Sequence, residues 1–143
     1  MRRRIITLLA VAVLTGLTAT VAMAASVHFI KNATSVTRSG NTLSADFKIS
    51  GLGLNVTTVD VALSADAQCV NPGSNKPKAG NKQSFSSAGT FTVRNGTAEG
   101  TLDLTATFQP NCTPPMSVEY SNVTLTASVD GVIVATASIP GTF

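Results

Sequence analysis

The sequence predicts an all-β fold of about seven antiparallel strands, packed as an immunoglobulin-like or similar Greek-key β-sandwich. Three observations support this prediction. Thr, Ser, Val, Ala and Gly dominate the chain after its N-terminal segment, which favours strands and turns over helices. Apolar and polar residues alternate over several segments, and Asn-Gly and Asp-Gly pairs separate such segments as in hairpins. The strand count does not separate a sandwich from a small β-barrel, which is the alternative.

The N-terminal segment is typical of a secretory signal peptide. Arg2-Arg3-Arg4 precede an apolar run that ends in Ala22-Met23-Ala24, and this order of a basic end, an apolar stretch and small residues predicts cleavage after Ala24. A membrane anchor is the alternative, since residues 5–25 are nearly long enough to span a bilayer. We expect a signal peptide over residues 1–24 and one secreted domain over 25–143, without membrane contact after cleavage.

Removing that segment changes the charge. The full chain has ten basic and seven acidic residues and a formal net charge of +3. Three of the ten, Arg2, Arg3 and Arg4, leave with the signal peptide, so the remainder is neutral. A basic protein would suggest nucleic acid as a partner, and the sequence therefore predicts none. The roughly 119 remaining residues suffice for a single domain with a core.

The first strands follow from alternation. A short strand is expected from Val27 to Lys31, with a possible continuation through Val36. In the next strand, 43–50, one residue in two is apolar, and Gly51–Asn55 breaks the pattern before a strand that begins near Val56 and ends at Cys69. The apolar face of the strand over 43–50 consists of Leu43, Ala45, Phe47 and Ile49.

Asn95-Gly96 is the strongest local signal. A two-residue type I′ turn needs positive φ at both central positions, which Asn and Gly adopt at least cost. This turn sets Val93 opposite Ala98 and Phe91 opposite Gly100. Turn chemistry and the apolar pattern therefore predict the same hairpin.

A last hairpin is expected at Asp130-Gly131. A two-residue turn would set Leu125 opposite Thr136, whereas a three-residue loop with a bulge at Gly131 sets Leu125 opposite Ala135. We favour the bulge, because it keeps the polar side chains on the wet face. The outgoing strand then buries Ile133, Ala135, Ala137 and Ile139 and exposes Val132 and Val134.

The two cysteines belong to the same end of the predicted domain. Cys69 ends a strand, and Cys112 follows the end of a second strand that runs in the same direction. In an exported protein such a pair predicts a disulfide, and closing a loop of about 44 residues contributes about 4 kcal/mol in the chain-entropy model. Free thiols or an intermolecular bridge are the alternatives. Two sulfurs without a nearby His predict no metal site.

Residues 70–83 form the longest stretch without a strand pattern, and the disulfide would place it beside 110–115. Long loops on a rigid scaffold often carry function. Lysines make this loop the one basic cluster, able to bind a phosphate or carboxylate polymer, although a solvated loop that resists edge pairing explains them equally well. The candidate binding residues are Asn75, Lys76, Lys78, Asn81 and Lys82.

Catalysis has little support. His28 is the single histidine, and no nucleophile, zinc or phosphate-loop motif is present. Carboxylate pairs such as Asp60 with Asp66, or Glu99 with Asp103, fall on predicted solvent faces. The chain has no Trp and one Tyr, so it lacks an aromatic platform for sugars. We therefore predict no enzyme, no catalytic residue and no cofactor.

Two resemblances concern the predicted domain as a whole. Gly51-Leu52-Gly53, Cys69 before Asn71-Pro72-Gly73, Asn81-Lys82-Gln83 and the closing residues 138–143 resemble small secreted β-sandwich proteins of unassigned function from filamentous, spore-forming bacteria. That resemblance implies no function. The composition is more loosely similar to that of the neocarzinostatin-type apoproteins, secreted sandwiches that hold a small molecule. Those have two disulfides where this chain can form one, so this likeness implies the fold only.

The function expected from the sequence is a secreted, non-catalytic sandwich. Its disulfide-clamped loop would bind a cell-wall or other extracellular polymer, or a protein. A small-molecule carrier or a secreted inhibitor is the alternative, and the carrier requires a concave apolar pocket.

Overall fold

The computed structural model describes residues 26–71, 73 and 81–143. The predicted signal peptide lies outside the described residues. In the described part, a 3₁₀ turn at Lys31–Ala33 is the one helical segment, and no helix is long and apolar enough to cross a membrane. The strands are β1 (His28–Phe29), β2 (Ser35–Ser39), β3 (Thr42–Ser50), β4 (Thr58–Val70), β5 (Gln83–Thr92), β6 (Ala98–Thr105), β7 (Ser117–Val129) and β8 (Val132–Ile139).

These strands form two antiparallel sheets. In the front sheet, β3 pairs with β6 along one edge and with β1 and β2, one after the other, along the second edge. The back sheet has the order β5-β4-β7-β8. No described strand is hydrogen-bonded into both sheets, so they do not close into a barrel. The prediction of an all-β sandwich is confirmed, and the barrel alternative is wrong.

The core lies between the two sheets because the central strands alternate as predicted. In β3 and β4, every second side chain is buried and the ones between face outward. Removing these apolar side chains from water provides the main driving force for the two sheets to pack. The largest fully buried side chains are Tyr120, Leu43, Ile49, Leu52, Leu63, Leu125, Val59, Val61, Val118 and Val123.

The predicted first strand is divided in two. The 3₁₀ turn separates β1 from β2, and both pair with β3, with His28 opposite Ser50 and Ser35 opposite Asp46. The predicted break after β3 is confirmed. Gly51 has a φ of +85°, and a Cβ there would lie 2.5 Å from the carbonyl oxygen of Ser26, so the chain needs glycine at this crossing.

The Asn95-Gly96 turn forms as predicted, but the hairpin does not continue. Both residues have positive φ, and Arg94 bridges to Thr97 across the turn. Beyond this bridge the two strands separate into different sheets. Phe91 pairs with Val59 in β4, and Gly100 pairs with Phe47 in β3.

The predicted pairing of Phe91 with Gly100 is therefore wrong as a register, although the two residues do meet across the sandwich. A Cβ on Gly100 would lie 2.3 Å from the Phe91 ring. The ring also contacts Phe47 edge-on, with centroids 4.8 Å apart. The apolar pattern placed both residues inward, but it could not specify whether they face each other within one sheet or between two.

The last hairpin differs from both predicted registers. Asp130 and Gly131 form a two-residue turn with positive φ. The bulge lies within β8 and not in the turn, so that Leu125 opposes Ala137. A bulge inside the strand reverses the facing of the residues near the turn. Ile133 is 66% exposed instead of buried, and Val134 packs against the core.

The two ends of the described chain lie at opposite ends of the sandwich. Ser26 contacts Gly51, where β3 ends. Phe143 exchanges backbone hydrogen bonds of 2.9 and 3.0 Å with Tyr120, near the start of β7. Because β3 and β7 both start at the end where Cys69 lies, the C-terminus reaches that end.

Candidate binding surface at the disulfide end

One end of the sandwich is closed by a covalent bond. Cys69, at the end of β4, is bonded to Cys112 in the segment between β6 and β7, with Cα atoms 5.7 Å apart. Both side chains are buried. The predicted disulfide is confirmed, and the alternatives of free thiols and an intermolecular bridge are wrong. We call this region the disulfide end; it includes the end of β4, residues 106–116, the start of β7 and the β2–β3 turn.

Tyr120 connects the two sheets at this end. Its side chain is fully buried in β7, and its hydroxyl accepts a 2.9 Å hydrogen bond from the Ala106 amide. The same hydroxyl donates to the carbonyl oxygen of Asn41 at 2.5 Å and lies 3.2 Å from that of Leu104. Burial raises the pKa of Tyr120 above its ordinary value. No role was predicted for this residue, although a lone Tyr among apolar strand residues is a usable signal, because a buried hydroxyl needs hydrogen-bonding partners.

Arg38 adds a second link between the sheets. From β2 in the front sheet, its Nη1 donates a 2.6 Å hydrogen bond to the carbonyl oxygen of Val118 in the back sheet. A charged donor forms a stronger hydrogen bond than a neutral one. The disulfide, Tyr120 and Arg38 therefore restrain the same end of the domain.

Asp66 joins three back-sheet elements on the outer face near this end. It accepts hydrogen bonds from Ser84 Oγ at 2.6 Å and from Asn122 Nδ2 at 2.8 Å, and it pairs with Lys82 Nζ at 3.3 Å. The hydrogen bonds from Ser84 and Asn122, followed by the contact with Lys82, lower the pKa of Asp66 from 3.8 to about 2. Asn122 has a φ of +53° and lies where β7 has one more residue than β4. The bulge turns its side chain toward Asp66.

This cluster links three strands of the back sheet through one ionised carboxylate. With a pKa of about 2, Asp66 is ionised near neutral pH and accepts the hydrogen bonds of Ser84 and Asn122. In residues 26–71, 73 and 81–143, no three His, Cys, Asp or Glu side chains are grouped so that they could hold a metal ion.

The structure places part of the predicted binding loop. Lys82 is exposed but ion-paired with Asp66, and Asn81 beside it is half-buried. The candidate residues Asn75, Lys76 and Lys78 lie outside the described residues. Lys82 thus has a local role in holding the chain where it re-enters the sheet. The Asp66 cluster was missed because its hydrogen-bonding partners are 18 and 56 residues away along the chain.

The segment that carries Cys112 forms the described rim of this end. Pro110, Asn111, Thr113, Pro114 and Pro115 are all exposed. The Met116 amide donates a 3.0 Å hydrogen bond to the Thr113 carbonyl, which closes a turn just before β7. The rim therefore combines exposed side chains with a backbone held by a disulfide on one side and a turn on the other.

A second concave feature lies away from this end, between the edge strands β5 and β6. It is an open groove of about 790 Å³ beside the Asn95-Gly96 turn. Lys48 and Glu99 form a 3.1 Å ion pair at its wall. The groove is lined by Lys48, Thr90, Phe91, Thr92, Arg94, Asn95, Thr97 and Glu99.

The titratable residues considered for catalysis lie apart from one another. His28 is exposed, with Nδ1 2.6 Å from the Ser26 carbonyl oxygen. Asp60 accepts a hydrogen bond from Thr90, and Asp103 accepts one from Ser44. Asp60, Glu99 and Asp103 are exposed on outer faces as expected, and Asp66 is half-exposed.

Comparison with known proteins adds no further constraint. No family model, no curated protein and no solved structure matches this chain. The two resemblances drawn from the sequence therefore stay predictions.

Proposed function

We propose that this chain is a secreted, non-catalytic sandwich that binds an extracellular partner, a cell-wall polymer or a surface protein, through its disulfide end. The observation that carries the proposal is that both stems of the segment between β4 and β5 are fixed. The Cys69–Cys112 bond holds the first stem, and the Lys82–Asp66 ion pair holds the second.

Secretion is supported by two independent features. The disulfide is compatible with an oxidising compartment outside the cytosol. The order of charges, apolar residues and Ala-x-Ala in residues 1–24 is that of a cleaved export signal. Mass spectrometry of the protein recovered from culture medium tests this directly. A chain that begins near Ala25 supports secretion, and one that retains Met1 contradicts it.

Binding at this end is supported by rigidity around a long connection. Stems that are already ordered reduce the entropy lost on association. Residues 70–83 supply lysines, and the neighbouring rim supplies exposed prolines and Asn111. A cationic loop beside a rigid rim suits a polymer that carries phosphate or carboxylate groups.

The test removes charge from the loop without disturbing its stem. Lys76→Ala/Lys78→Ala keeps Lys82 and its ion pair, and Lys31→Glu changes the formal charge by the same two units at an exposed position elsewhere. We expect the loop variant to lose most of its co-sedimentation with cell walls isolated from the producing cells. The control variant should co-sediment like the wild type. Equal retention of the two variants would reject the loop as the binding site.

A small-molecule carrier is the second candidate, and the groove between β5 and β6 favours it. This groove offers Arg94, the Lys48–Glu99 ion pair, several hydroxyls and the Phe91 ring, a mixture suited to a small polar ligand. Native mass spectrometry of the secreted protein tests this candidate. A bound mass that Arg94→Ala abolishes would favour the carrier, and a ligand-free spectrum would favour the binding module.

A further inference from the structure

A small groove lies where the edges of the two sheets meet. β1 of the front sheet packs beside β8 of the back sheet, and a groove of about 390 Å³ lies between the 3₁₀ turn that follows β1 and the end of β8. Its apolar lining consists of Phe29, Ala137, Ile139 and Pro140. None of these residues lines the groove between β5 and β6, so the two grooves are separate.

Hydrogen bonds hold both walls of this groove in place. On the front side, the Ile30 amide donates a 2.8 Å hydrogen bond to the Lys48 carbonyl. The Ile30 carbonyl accepts hydrogen bonds from the Ala33 amide and the Thr34 hydroxyl, both at 3.0 Å, which closes the turn. On the back side, residues 137–139 are paired with β7. A ligand that enters the groove therefore meets walls that are already ordered, which lowers the entropy lost on binding.

The apolar lining of the groove rests on the core of the sandwich. The Phe29 ring contacts the buried Phe47 ring edge-on, with centroids 6.2 Å apart. Ala137 and Ile139 pack against the same core but are only half-buried. A hydrocarbon chain in the groove would remove more of this apolar surface from water, which favours binding.

The polar lining of the groove contains one cation and no acid. Of the described residues that line it, Lys31 is the one with a charged side chain, and the other polar residues are Thr34 and Ser138. Lys31 is exposed and forms no ion pair with a described residue. Apolar walls with one free ammonium group are complementary to a ligand that has a hydrocarbon body and a single negative charge.

The volume of the groove fits a small molecule. At about 30 Å³ for each water, 390 Å³ holds about a dozen waters, which is at the lower end of ligand pockets. We propose that this groove binds a small apolar carboxylic acid, with the carboxylate beside Lys31 and the hydrocarbon chain against Phe29 and Ile139. The proposal does not rest on the function proposed above, because it involves neither the 70–83 loop nor the groove between β5 and β6.

An NMR titration of the secreted protein with octanoate tests this proposal. We expect saturable shifts of the backbone amides in 29–34 and 137–139, with a dissociation constant of about 1 mM. Acetate carries the same charge without the hydrocarbon chain and should give no saturable shift over the same range. Equal binding of acetate and octanoate would mean that Lys31 attracts anions without any contribution from the groove.

Exchanging the charges of protein and ligand tests the role of Lys31. The wild type should prefer octanoate to octylamine, which has the same chain and a positive charge at neutral pH. Lys31→Glu replaces an attraction by a repulsion and should weaken octanoate binding about tenfold. The same variant should bind octylamine more tightly than octanoate, so that the preference is reversed. Because Lys31 is exposed, this substitution leaves the core intact.

Two control variants separate this groove from the other candidate sites. Arg94→Glu reverses a charge at the groove between β5 and β6, and Lys76→Ala/Lys78→Ala removes charge from the loop; both should bind octanoate like the wild type. No saturable shift up to about 10 mM octanoate, shifts confined to other segments, or equal effects of Lys31→Glu and Arg94→Glu would overturn the proposal. A preference for octanoate that Lys31→Glu leaves unchanged would overturn it as well.

Discussion

The two ends of the sandwich are built differently. At the disulfide end, a covalent bond, the Tyr120 hydroxyl and Arg38 connect segments that belong to different sheets. The opposite end consists of the 51–57 loop and the turns at 95–96 and 130–131. There the loops are joined by backbone hydrogen bonds, such as the 3.0 Å bond from the Leu52 amide to the Gly96 carbonyl, and the nearby Lys48–Glu99 ion pair joins β3 and β6 within one sheet.

This difference indicates which end contributes more to the stability of the fold. An end held by several cross-links tolerates a long, charged connection, because the scaffold beneath it stays ordered. The opposite end closes with short glycine turns and leaves Leu54, Val132 and Ile133 exposed. We infer that the first end holds the two sheets together, and that substitutions of the exposed side chains at the second end affect folding little.

Removing the disulfide should have the largest effect. Cys69→Ser/Cys112→Ser frees a loop of about 44 residues and should lower the free energy of unfolding by about 4 kcal/mol. Urea denaturation of the wild type and the variant measures this difference. A loss below about 1 kcal/mol would mean that the hydrogen bonds at this end hold it together without the covalent bond.

Tyr120→Phe should have the next largest effect. It removes the hydroxyl between Asn41 and Ala106 and should cost about 1–3 kcal/mol, because buried polar groups lose a partner. Thr105→Val, which breaks the exposed 2.9 Å hydrogen bond with Thr42 at the same turn, should cost less than about 0.5 kcal/mol. Denaturation at neutral pH compares the two variants, and similar losses would contradict the role of burial.

The pH dependence of Tyr120 gives the same prediction a second readout. Burial raises its pKa in the folded state above 10.0, so the unfolded chain ionises first as the pH rises. The stabilisation that Tyr120 provides is complete below pH 10 and is lost above it. The stability difference between wild type and Tyr120→Phe should therefore shrink above that pH.

Asp66→Asn should have a smaller effect that depends on pH. The pKa of Asp66 is about 2 in the folded protein against 3.8 ordinarily, so its stabilisation is complete above about pH 4 and is lost as the pH falls through 2. Because the group is partly exposed, we expect a difference of about 1 kcal/mol at pH 5. Urea denaturation at several pH values should show that difference disappear near pH 2.

A matched carboxylate at the opposite end provides the control for Asp66. In the described part of the chain, Asp130 makes no side-chain hydrogen bond, and Asp130→Asn keeps a residue suited to its positive φ. Its stability should stay within about 0.5 kcal/mol of the wild type. An equal effect at Asp66 and Asp130 would show that general charge, not the cluster, is responsible.

The smallest effect is expected at Leu54. This side chain is 85% exposed, and Leu54→Ser should change stability by less than about 0.5 kcal/mol. Leu52, two residues earlier in the same loop, is 1% exposed, and Leu52→Ala should cost about 2–5 kcal/mol. Thermal unfolding of the two variants separates core from surface within one loop, and a large loss at Leu54 would contradict the inference about this end.

The sequence predicted some elements well because residues close together in the chain determine them. β3 and β4 are central strands with one buried face, so alternation alone fixed their faces and nearly their bounds. Positive φ at Asn95-Gly96 and Asp130-Gly131 also follows from residue type. The disulfide followed from strand direction, since each reversal returns the chain to the same end.

Other features depend on contacts that no local pattern contains. Alternation places Phe91 inward but does not choose between β4 and β6 as the neighbour of β5. The bulge could lie in the turn or within β8. In the structure it lies within β8, where Val134 packs against the core. The partners of Tyr120 and Asp66 are distant in the sequence. The sequence therefore indicated which end holds the candidate site, but not which side chains contact each other there.

The position of the two chain ends gives the domain a direction for attachment. Ser26 leaves beside Gly51, whereas Phe143 is bound to the backbone of Tyr120 at the disulfide end. A label or surface linkage attached at Phe143 would emerge next to the disulfide and obstruct that face. The same linkage before Ser26 would hold the domain by its other end and display the disulfide end outward, which makes it the suitable orientation for testing the proposed binding at that end.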